Sequence, residues 1–273
     1  MEMTVTWPKA ILIDLDDTVI SFDVGVDLDR CWMRALRTHL PEVGDETLAE
    51  MVSAIQARAA WYWSDPERHR IGRRDPVSAR QEIVAAALAK WDVRDPVLAR
   101  TIAADYGEAR ERQVRLFPGA LEAIGLFRSK GVRLALITNG NAEMQRAKIR
   151  RFDLAGLFDD ILIEGEVGVG KPEAGIYLLA LERLGASAED AWMIGDNYEW
   201  EIAAPGRLGI RGVWIDHYGA GVPEDAPVKP FLTVRSWGNC LRCFGRSGHS
   251  NRGVRPGETE GAGDQARSIA VSG

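Results

Sequence analysis

The sequence predicts an α/β fold, in which a doubly wound parallel sheet carries a helical cap domain inserted after its first strand. Two observations lead to this prediction. Short apolar runs that end in polar or glycine residues recur along the chain, and helix-like segments separate most of them. The long stretch between the first and second runs, in contrast, has only helical periodicity.

Each apolar run has the length and composition of a strand that is covered on both faces of a parallel sheet. The runs are Ala10–Ile13, Val132–Ile137, Ile161–Ile163, Ala191–Ile194 and Gly212–Ile215. Strands that alternate with helices indicate βαβ units and therefore a Rossmann-like core. In such sheets ligands bind beyond the carboxyl ends of the strands. The polar residues that follow the runs are therefore expected to meet at one edge.

The long stretch shows apolar residues every three or four positions, which is typical of amphipathic helices. The predicted helices are Leu28–His39, Glu46–Trp63, Val77–Trp91 and Pro96–Gln113. No strand is predicted there. We therefore expect a helical cap at 20–115, an α/β core at 1–19 and 116–244, and a disordered tail at 245–273. The tail is rich in glycine, arginine and serine and has too few large apolar residues to form a core.

Charge and composition narrow the class of function. Apolar residues make up 46% of the chain, charged residues 27%, and the formal net charge is −6. An acidic protein repels nucleic-acid phosphates and anionic membranes, so neither is an expected partner. No signal peptide or membrane span is recognisable, and the three cysteines suggest no disulfide framework, so a cytoplasmic enzyme is expected. A small anionic substrate would need local cations or a metal.

The first run is followed by the pentapeptide Asp14-Leu15-Asp16-Asp17-Thr18. In extended geometry the side chains of Asp14 and Asp16 can point to the same side of the chain. Two carboxylates held that close favour a shared proton or a bound cation. Because Asp and Thr are also common in turns and helix caps, a plain turn is the alternative for this segment alone.

Other polar groups follow the later runs. Thr138-Asn139 offers a hydroxyl and backbone amides for a phosphate, or alternatively a helix cap. Lys171 lies in the loop Gly168-Val169-Gly170-Lys171-Pro172, which is close to a P-loop but has proline where a P-loop has serine or threonine. Asp196 follows the fourth run and has the hard oxygens that Mg²⁺ prefers. Glu201 follows one helical turn later and could reach a metal-bound water.

These motifs, in this order, resemble the haloacid dehalogenase superfamily, in its phosphatase branch with an inserted helical cap. The resemblance implies that Asp14 attacks phosphorus and forms an aspartyl-phosphate, while Asp16 acts as general acid and base. It implies that Thr138, Asn139 and Lys171 hold the phosphoryl group. It also implies a Mg²⁺ cofactor bound by Asp14, Asp16 and Asp196, with Glu201 where the family usually has a second aspartate.

The expected activity is Mg²⁺-dependent hydrolysis of a small phosphorylated metabolite. Dehalogenases of similar sequence carry a non-acidic residue two positions after the nucleophile, so Asp16 favours an ester whose leaving oxygen needs a proton. A phosphomutase, a 2-haloacid dehalogenase and a non-catalytic nucleotide-binding module remain as alternatives. In the cap, Arg73 and Arg74 could meet a second anionic group, although a solvated loop is the plainer interpretation.

Overall fold

The computed structural model describes residues 6–245. Its centre is a six-stranded parallel sheet with the strand order β5-β4-β1-β6-β7-β8. The strands are β1 (Ala10–Ile13), β4 (Arg133–Thr138), β5 (Asp160–Ile163), β6 (Ala191–Gly195), β7 (Arg211–Ile215) and β8 (Leu232–Val234). All five predicted runs form strands of this sheet, which confirms the α/β, Rossmann-like prediction.

Strand β1 lies in the middle of the sheet and is buried on both faces. Alternate residues point to opposite sides, as the strand period requires. Ile11 and Ile13 belong to one hydrophobic cluster, and Ala10 and Leu12 belong to another on the other face. The continuous apolar run therefore reflects two cores, and Asp14 is the first polar residue where they end.

Helices cover both faces of the sheet. The helices of the core are α6 (Ala120–Ser129), α7 (Ala142–Arg151), α8 (Glu164–Val167), α9 (Ala174–Leu184), α10 (Ala204–Gly206) and α11 (Trp237–Gly245). Residues of α6, α7 and α11 share a cluster with Ile11 and Ile13, whereas residues of α9 and α10 pack with Ala10 and Leu12. The sequence has helix-like segments at Asn141–Phe152, Glu173–Leu184 and Trp237–Phe244, which form α7, α9 and α11, whereas no helix was predicted at α6 or α8.

The segment after β1 is mostly helical. Its helices are α1 (Leu28–His39), α2 (Asp45–Ser64), α3 (Pro66–Gly72), α4 (Pro76–Leu88) and α5 (Pro96–Glu111). Four of the five had been predicted, and they bury a hydrophobic cluster of their own. The exact division of the chain at 20–115 stays a prediction.

The expectation that this segment holds no strand was wrong. Ile20–Ser21 (β2) and Arg115–Leu116 (β3) pair antiparallel at the two points where the chain leaves and re-enters the core. Strands of two residues are too short to produce a recognisable alternation in the sequence. The pair ties the two ends of the helical segment together beside the end of β1.

Helix α3 was also missed, although the sequence carries a signal for it. The dipeptides Asp65-Pro66, Asp75-Pro76 and Asp95-Pro96 begin α3, α4 and α5 in the same way. In each, the aspartate side chain accepts an N–H of the first turn and proline occupies the first helical position, where no N–H is needed. The seven residues of α3 give too little periodicity to stand out without this signal.

No helix within residues 6–245 is long and apolar enough to cross a membrane. The predicted disordered tail lies outside the described residues, except Gly245, which ends α11.

Candidate active site

The carboxyl ends of the strands open into a cavity of about 630 Å³ that extends between the sheet and the helical segment. Asp14 follows β1, Thr138 ends β4, and Asp196 follows β6. Lys171 reaches the same place from the loop after α8. The structure thus brings every predicted site residue to one cavity, which is lined by Asp14, Asp16, Thr138, Asn139, Lys171, Asp196 and Glu201 among others.

Lys171 is the central cation of the site. Its side chain is 1% exposed, and Nζ lies 2.5 Å from Asp14 Oδ1 and 2.7 Å from Glu201 Oε1. Burial alone would lower the pKa of Lys171, but the two carboxylates outweigh burial and raise it. Burial also raises the pKa of Asp14, which Lys171 partly offsets. The ammonium is therefore firmly protonated beside the carboxylate of Asp14.

Glu201 is bound within the protein. Its carboxylate contacts Lys171 and accepts the backbone N–H of Asn197 at 2.7 Å. The side chain is 1% exposed, and each of its two oxygens has a protein partner. Burial raises the pKa of Glu201 to about 7, against the opposing effect of Lys171. The longer side chain substitutes for aspartate here as a partner of the lysine.

Gly195 explains how Glu201 fits beneath the end of β6. A Cβ atom at position 195 would lie 2.0 Å from Glu201 Cγ, so only glycine allows this approach. Glu201 stands in the π-helical turn Tyr198–Ala203, which Asn197 caps by accepting the N–H of Trp200. Turns of this kind are frequent at functional sites.

Within residues 6–245 the Asp196 carboxylate has one hydrogen-bond partner and no cationic one. Its Oδ1 accepts a hydrogen bond of 3.3 Å from Thr18, and its main-chain carbonyl accepts the Trp214 indole N–H at 2.7 Å. Burial, followed by the negative charges of Glu201 and Asp14, raises the pKa of Asp196 well above its usual value. A partly exposed carboxylate with like-charged neighbours is suited to bind a cation.

The residues present can accommodate one divalent cation. Among residues 6–245 no group of three His, Cys, Asp or Glu side chains could hold a metal, so the protein offers no all-carboxylate cage. Mg²⁺ is usually held by one or two carboxylates, with water and substrate phosphate completing its octahedron. The pair Asp14 and Asp196, with the main-chain carbonyl of Asp16, fits that donor set.

Two residues of α7, Gln145 and Lys148, contact Asp16 and were missed by sequence reasoning. Lys148 Nζ lies 2.8 and 2.9 Å from the two carboxylate oxygens of Asp16. Gln145 Nε2 donates to Asp16 Oδ2 at 2.9 Å and to Thr138 Oγ1 at 2.5 Å. Both side chains are nearly completely buried. Their spacing of three residues, which puts them on the same helix face after the Asn141 cap, was the available signal.

Asn139 holds the lysine loop in place. Its Nδ2 donates to the Lys171 carbonyl at 2.7 Å, and its Oδ1 accepts the Lys171 N–H at 2.8 Å. Since both side-chain groups are used in this way, the predicted phosphate contact of Asn139 would have to come from its main chain. Gly170 permits the close packing, because a Cβ there would lie 2.8 Å from Asn139 Oδ1.

Asp17 organises the turn that leads into the helical segment. Its carboxylate accepts the backbone N–H groups of Phe22, Asp23 and Val24 at 2.7–2.9 Å. Its φ of +55° lies in the left-handed region, which aspartate tolerates better than most residues. All three acids of the pentapeptide line the cavity, but the carboxylate of Asp17 is engaged in holding the backbone of this turn.

Arg73 and Arg74, for which a solvated loop was the preferred interpretation and a second anion the alternative, are bound to the protein itself. Arg73 makes two hydrogen bonds to Glu164, of 2.6 and 2.9 Å, and Arg74 adds one of 3.3 Å. Glu164 is completely buried and also accepts the Gly140 N–H at 3.0 Å. Burial alone would raise the pKa of Glu164, but Arg73 and these other donors lower it. This ion pair joins the helical segment to the sheet at the edge of the cavity.

The family is decided by a match of residues 8–209 to the model of the haloacid dehalogenase-like hydrolases. This chain belongs to that family. The matched residues include every cavity residue named above. The resemblance seen in the motifs is confirmed.

Two curated relatives are phosphatases. The chain is 35% identical over 181 residues to phosphoserine phosphatase of Thermus thermophilus, which covers 66% of this chain and 65% of that protein. It thus spans slightly less than two thirds of the length of that relative. It is 28% identical over 213 residues to glyceraldehyde 3-phosphate phosphatase of Methanopyrus kandleri, covering 76% of this chain and 83% of that protein.

A solved structure of similar fold is the 2-haloacid dehalogenase of Pseudomonas syringae pv. tomato. It has a TM-score of 0.56 and 25% identity, and the alignment covers 88% of this chain and 99% of that one. Since the fold is shared by phosphatases and dehalogenases, the residues of the site must distinguish the two activities.

Proposed function

We propose that this protein is a Mg²⁺-dependent phosphomonoesterase that hydrolyses a small phosphorylated metabolite through an aspartyl-phosphate on Asp14. The observation that carries the proposal is the position of Asp16. Its carboxylate lines the same cavity as that of Asp14 and is held there by Lys148 and Gln145. A carboxyl group beside the nucleophile can give a leaving oxygen the proton that a departing halide would not need.

In the first step an oxygen of the Asp14 carboxylate attacks phosphorus and the bond between phosphorus and the ester oxygen breaks. Asp16 in its acid form transfers its proton to that oxygen, so the alcohol leaves neutral. Lys171 stays protonated, and its charge offsets the negative charge that accumulates on the phosphoryl oxygens. General acid assistance of this kind typically gives ~10²–10⁴-fold in rate.

In the second step the Asp16 carboxylate takes a proton from a water molecule. The resulting hydroxide attacks phosphorus, and the bond between phosphorus and the Asp14 oxygen breaks. Inorganic phosphate leaves, while Asp14 returns to a carboxylate and Asp16 to an acid. Lys148 and Gln145 act here as positioning residues, because they fix the orientation of the Asp16 side chain in both steps.

The phosphoryl group would be bound by Thr138 and Lys171 and by the main chain of Asn139. Thr138 ends β4, and α7 begins a few residues later, so hydroxyl and amide donors converge on this edge. When bound by Asp14, Asp196 and the Asp16 carbonyl, Mg²⁺ would neutralise phosphate charge as a Lewis acid. The segment 20–115 would act as a cap that keeps water away from the reacting atoms.

The relatives support a phosphatase over its alternatives. Both curated relatives above are named for small phosphorylated substrates, phosphoserine and glyceraldehyde 3-phosphate. A nucleotide-binding module is disfavoured because Lys171, the lysine of the near P-loop, is engaged with Asp14 and Glu201. A cytoplasmic location, and the absence of nucleic-acid and membrane partners, stay predictions.

The test compares wild type, Asp14→Asn and Asp16→Asn on a panel of phosphomonoesters and 2-haloacids with Mg²⁺. We expect wild type to release inorganic phosphate and no halide, and Asp14→Asn to release neither. After rapid quenching with acid, wild type should retain a covalently bound phosphoryl group, whereas Asp14→Asn should not. Halide release without phosphate release would establish the dehalogenase. Isomerisation of a sugar phosphate without free phosphate would establish the mutase.

A further inference from the structure

The cavity has a second cationic position, which the helical segment supplies. Arg80 of α4 and Arg110 of α5 both line the cavity, as does Lys148 on the sheet side. These residues belong to different elements, so the cavity has charged groups at both its cap wall and its floor. The ion-pair partners of these cations show which of them could bind a ligand.

Most of the cations that line the cavity already have a carboxylate partner. Lys171 pairs with Asp14, Lys148 with Asp16, and Arg110 with Asp23 at 2.5 Å. Arg73 pairs with Glu164, as described above. Arg80 differs from all of these, because no carboxylate in the described part of the chain lies within salt-bridge distance of it.

Arg80 has few direct contacts, and the carboxylates of Asp23 and Glu111 favour its charged form only from beyond salt-bridge distance. Its one hydrogen bond within the described residues is at the distance limit, 3.5 Å from Nη1 to the Ala103 carbonyl. The guanidinium lies 5.4 Å from the centre of the Tyr106 ring. Burial, and secondarily the charge of Arg110, lower the pKa of Arg80, although an arginine keeps its proton in this range. Because the Arg80 side chain is only partly exposed and has no carboxylate in contact, an oxyanion of a ligand would supply the partner that the described residues do not.

Aromatic rings form part of the cap wall beside Arg80. Trp32 stacks on Tyr106 with ring centres 3.5 Å apart, and both rings line the cavity beside Arg80. Arginine binds planar or tetrahedral oxyanions through two parallel hydrogen bonds.

We propose that Arg80 binds a second oxyanion of the substrate, so that the preferred substrates are phosphomonoesters with a further carboxylate or phosphate on the leaving-group side. This inference rests on the proposed phosphatase function and names its substrate class. Arg80 would recognise the part of the molecule that is not transferred, while Asp14 and Lys171 act on the phosphoryl group that is.

The first experiment measures kcat/KM for two matched substrate pairs. One pair is 3-phosphoglycerate and glycerol 3-phosphate, which differ in a carboxylate. The other is propane-1,3-diol bisphosphate and its monophosphate, which differ in a phosphate. Wild type should prefer the member with the second anionic group in at least one pair. The pair that shows this preference tells whether the second group is a carboxylate or a phosphate. Arg80→Met should reduce that preference about 10- to 100-fold, the usual effect of one lost charged hydrogen-bonding partner.

Two further variants separate recognition from folding. Gly107→Ala keeps Arg80 but would place a Cβ 2.3 Å from its Nη1, so the guanidinium must move. Because alanine is the better helix former, this variant should be at least as stable as wild type and yet lose part of the preference. Arg37→Met removes an exposed cap arginine that pairs with Asp45, and it should leave the preference unchanged.

The outcomes distinguish this inference from the proposed function. If wild type hydrolyses both members of each pair equally, or Arg80→Met lowers both equally, the Arg80 inference is wrong and the phosphatase stands. If wild type hydrolyses no ester, the phosphatase proposal fails, and calorimetry of the same four ligands decides the inference. If Arg80→Met binds only the two ligands with a second anionic group more weakly, the inference is supported. Unchanged binding of those two ligands overturns it.

Discussion

Lys148 Nζ lies within 2.9 Å of both carboxylate oxygens of Asp16, and the lysine side chain is 4% exposed. The contact joins α7 to the loop after β1, so that a residue far along the chain sets the orientation of the candidate acid. Gln145 donates to the same carboxylate from one turn earlier in the helix. This relationship makes α7 part of the active site and leads to the first prediction.

Lys148→Met should lower kcat by about 10- to 100-fold, because a misoriented acid loses part of the ~10²–10⁴-fold that general acid catalysis supplies. The loss should be larger for alkyl phosphates than for p-nitrophenyl phosphate, whose leaving group needs no proton, and Asp16→Asn should show the same dependence. Lys130→Met, at an exposed lysine, serves as the control. Equal losses on both kinds of ester would show that Lys148 does not act through Asp16.

Removal of metal should abolish activity, and Mg²⁺ should bind more tightly as pH rises. Burial and neighbouring carboxylates raise the pKa of Asp196, so a proton competes with the cation at low pH. Calorimetry of Mg²⁺ binding at pH 5.5 and 7.5 should show weaker binding and more proton release at the lower pH. Asp196→Asn should bind Mg²⁺ at least ten times more weakly, and unchanged binding would remove Asp196 from the metal site.

Glu201 should make the metal-free protein less stable as pH rises from 5 to 8. Its pKa is raised to about 7 in the folded protein, above the ordinary 4.5. The stabilisation from its proton is therefore fully present below about 4.5 and is lost as pH rises through 7. Relative to Glu201→Gln, the unfolding free energy of wild type should fall by about 2 kcal/mol across this window.

Urea unfolding at several pH values measures this difference. Glu166→Gln is the control, because Arg146 lowers the pKa of Glu166 and its contribution should be constant from pH 5 to 8. Parallel stability curves for wild type and Glu201→Gln would contradict the predicted linkage.

The Arg73–Glu164 ion pair should contribute strongly to stability. Arg73→Met leaves Glu164 completely buried with only Arg74 and a backbone N–H as partners. Breaking a buried pair on one side typically costs about 3–5 kcal/mol, and Arg74 should limit the loss to about 3 kcal/mol. Urea denaturation measures the effect.

A matched control is the second ion pair that has its glutamate on α8. Arg146 pairs with Glu166 through two hydrogen bonds of 2.7 Å, but both side chains are about one third exposed. Arg146→Met should therefore cost less than about 1 kcal/mol. Similar losses for the two arginine variants would mean that burial does not distinguish the pairs.

The local sequence was sufficient to predict a strand or helix where the residues of that element alone form a recognisable pattern. Continuous apolar runs such as Ala10–Ile13 predicted the buried strands, and the residue after each run predicted the polar edge of the sheet. The elements β2, β3 and α3 are too short to show the hydrophobic periodicity by which a strand or helix is predicted. Helix α3 had a cap signal in Asp65-Pro66, whereas the pairing of β2 with β3 had none.

The sequence by itself determined which residues could do the chemistry. Asp14, Asp16, Thr138 and Asp196 lie at or just after strand ends, which parallel strands place at one edge, and Lys171 lies in a glycine-rich loop. Only the tertiary structure decided the partners of these residues. Glu201 contacts Lys171 because Gly195 leaves space for it, and Lys148 reaches Asp16 because α7 packs beside β1. The physical reason is that side-chain contacts between distant segments depend on packing in three dimensions, which leaves no period or motif in the chain.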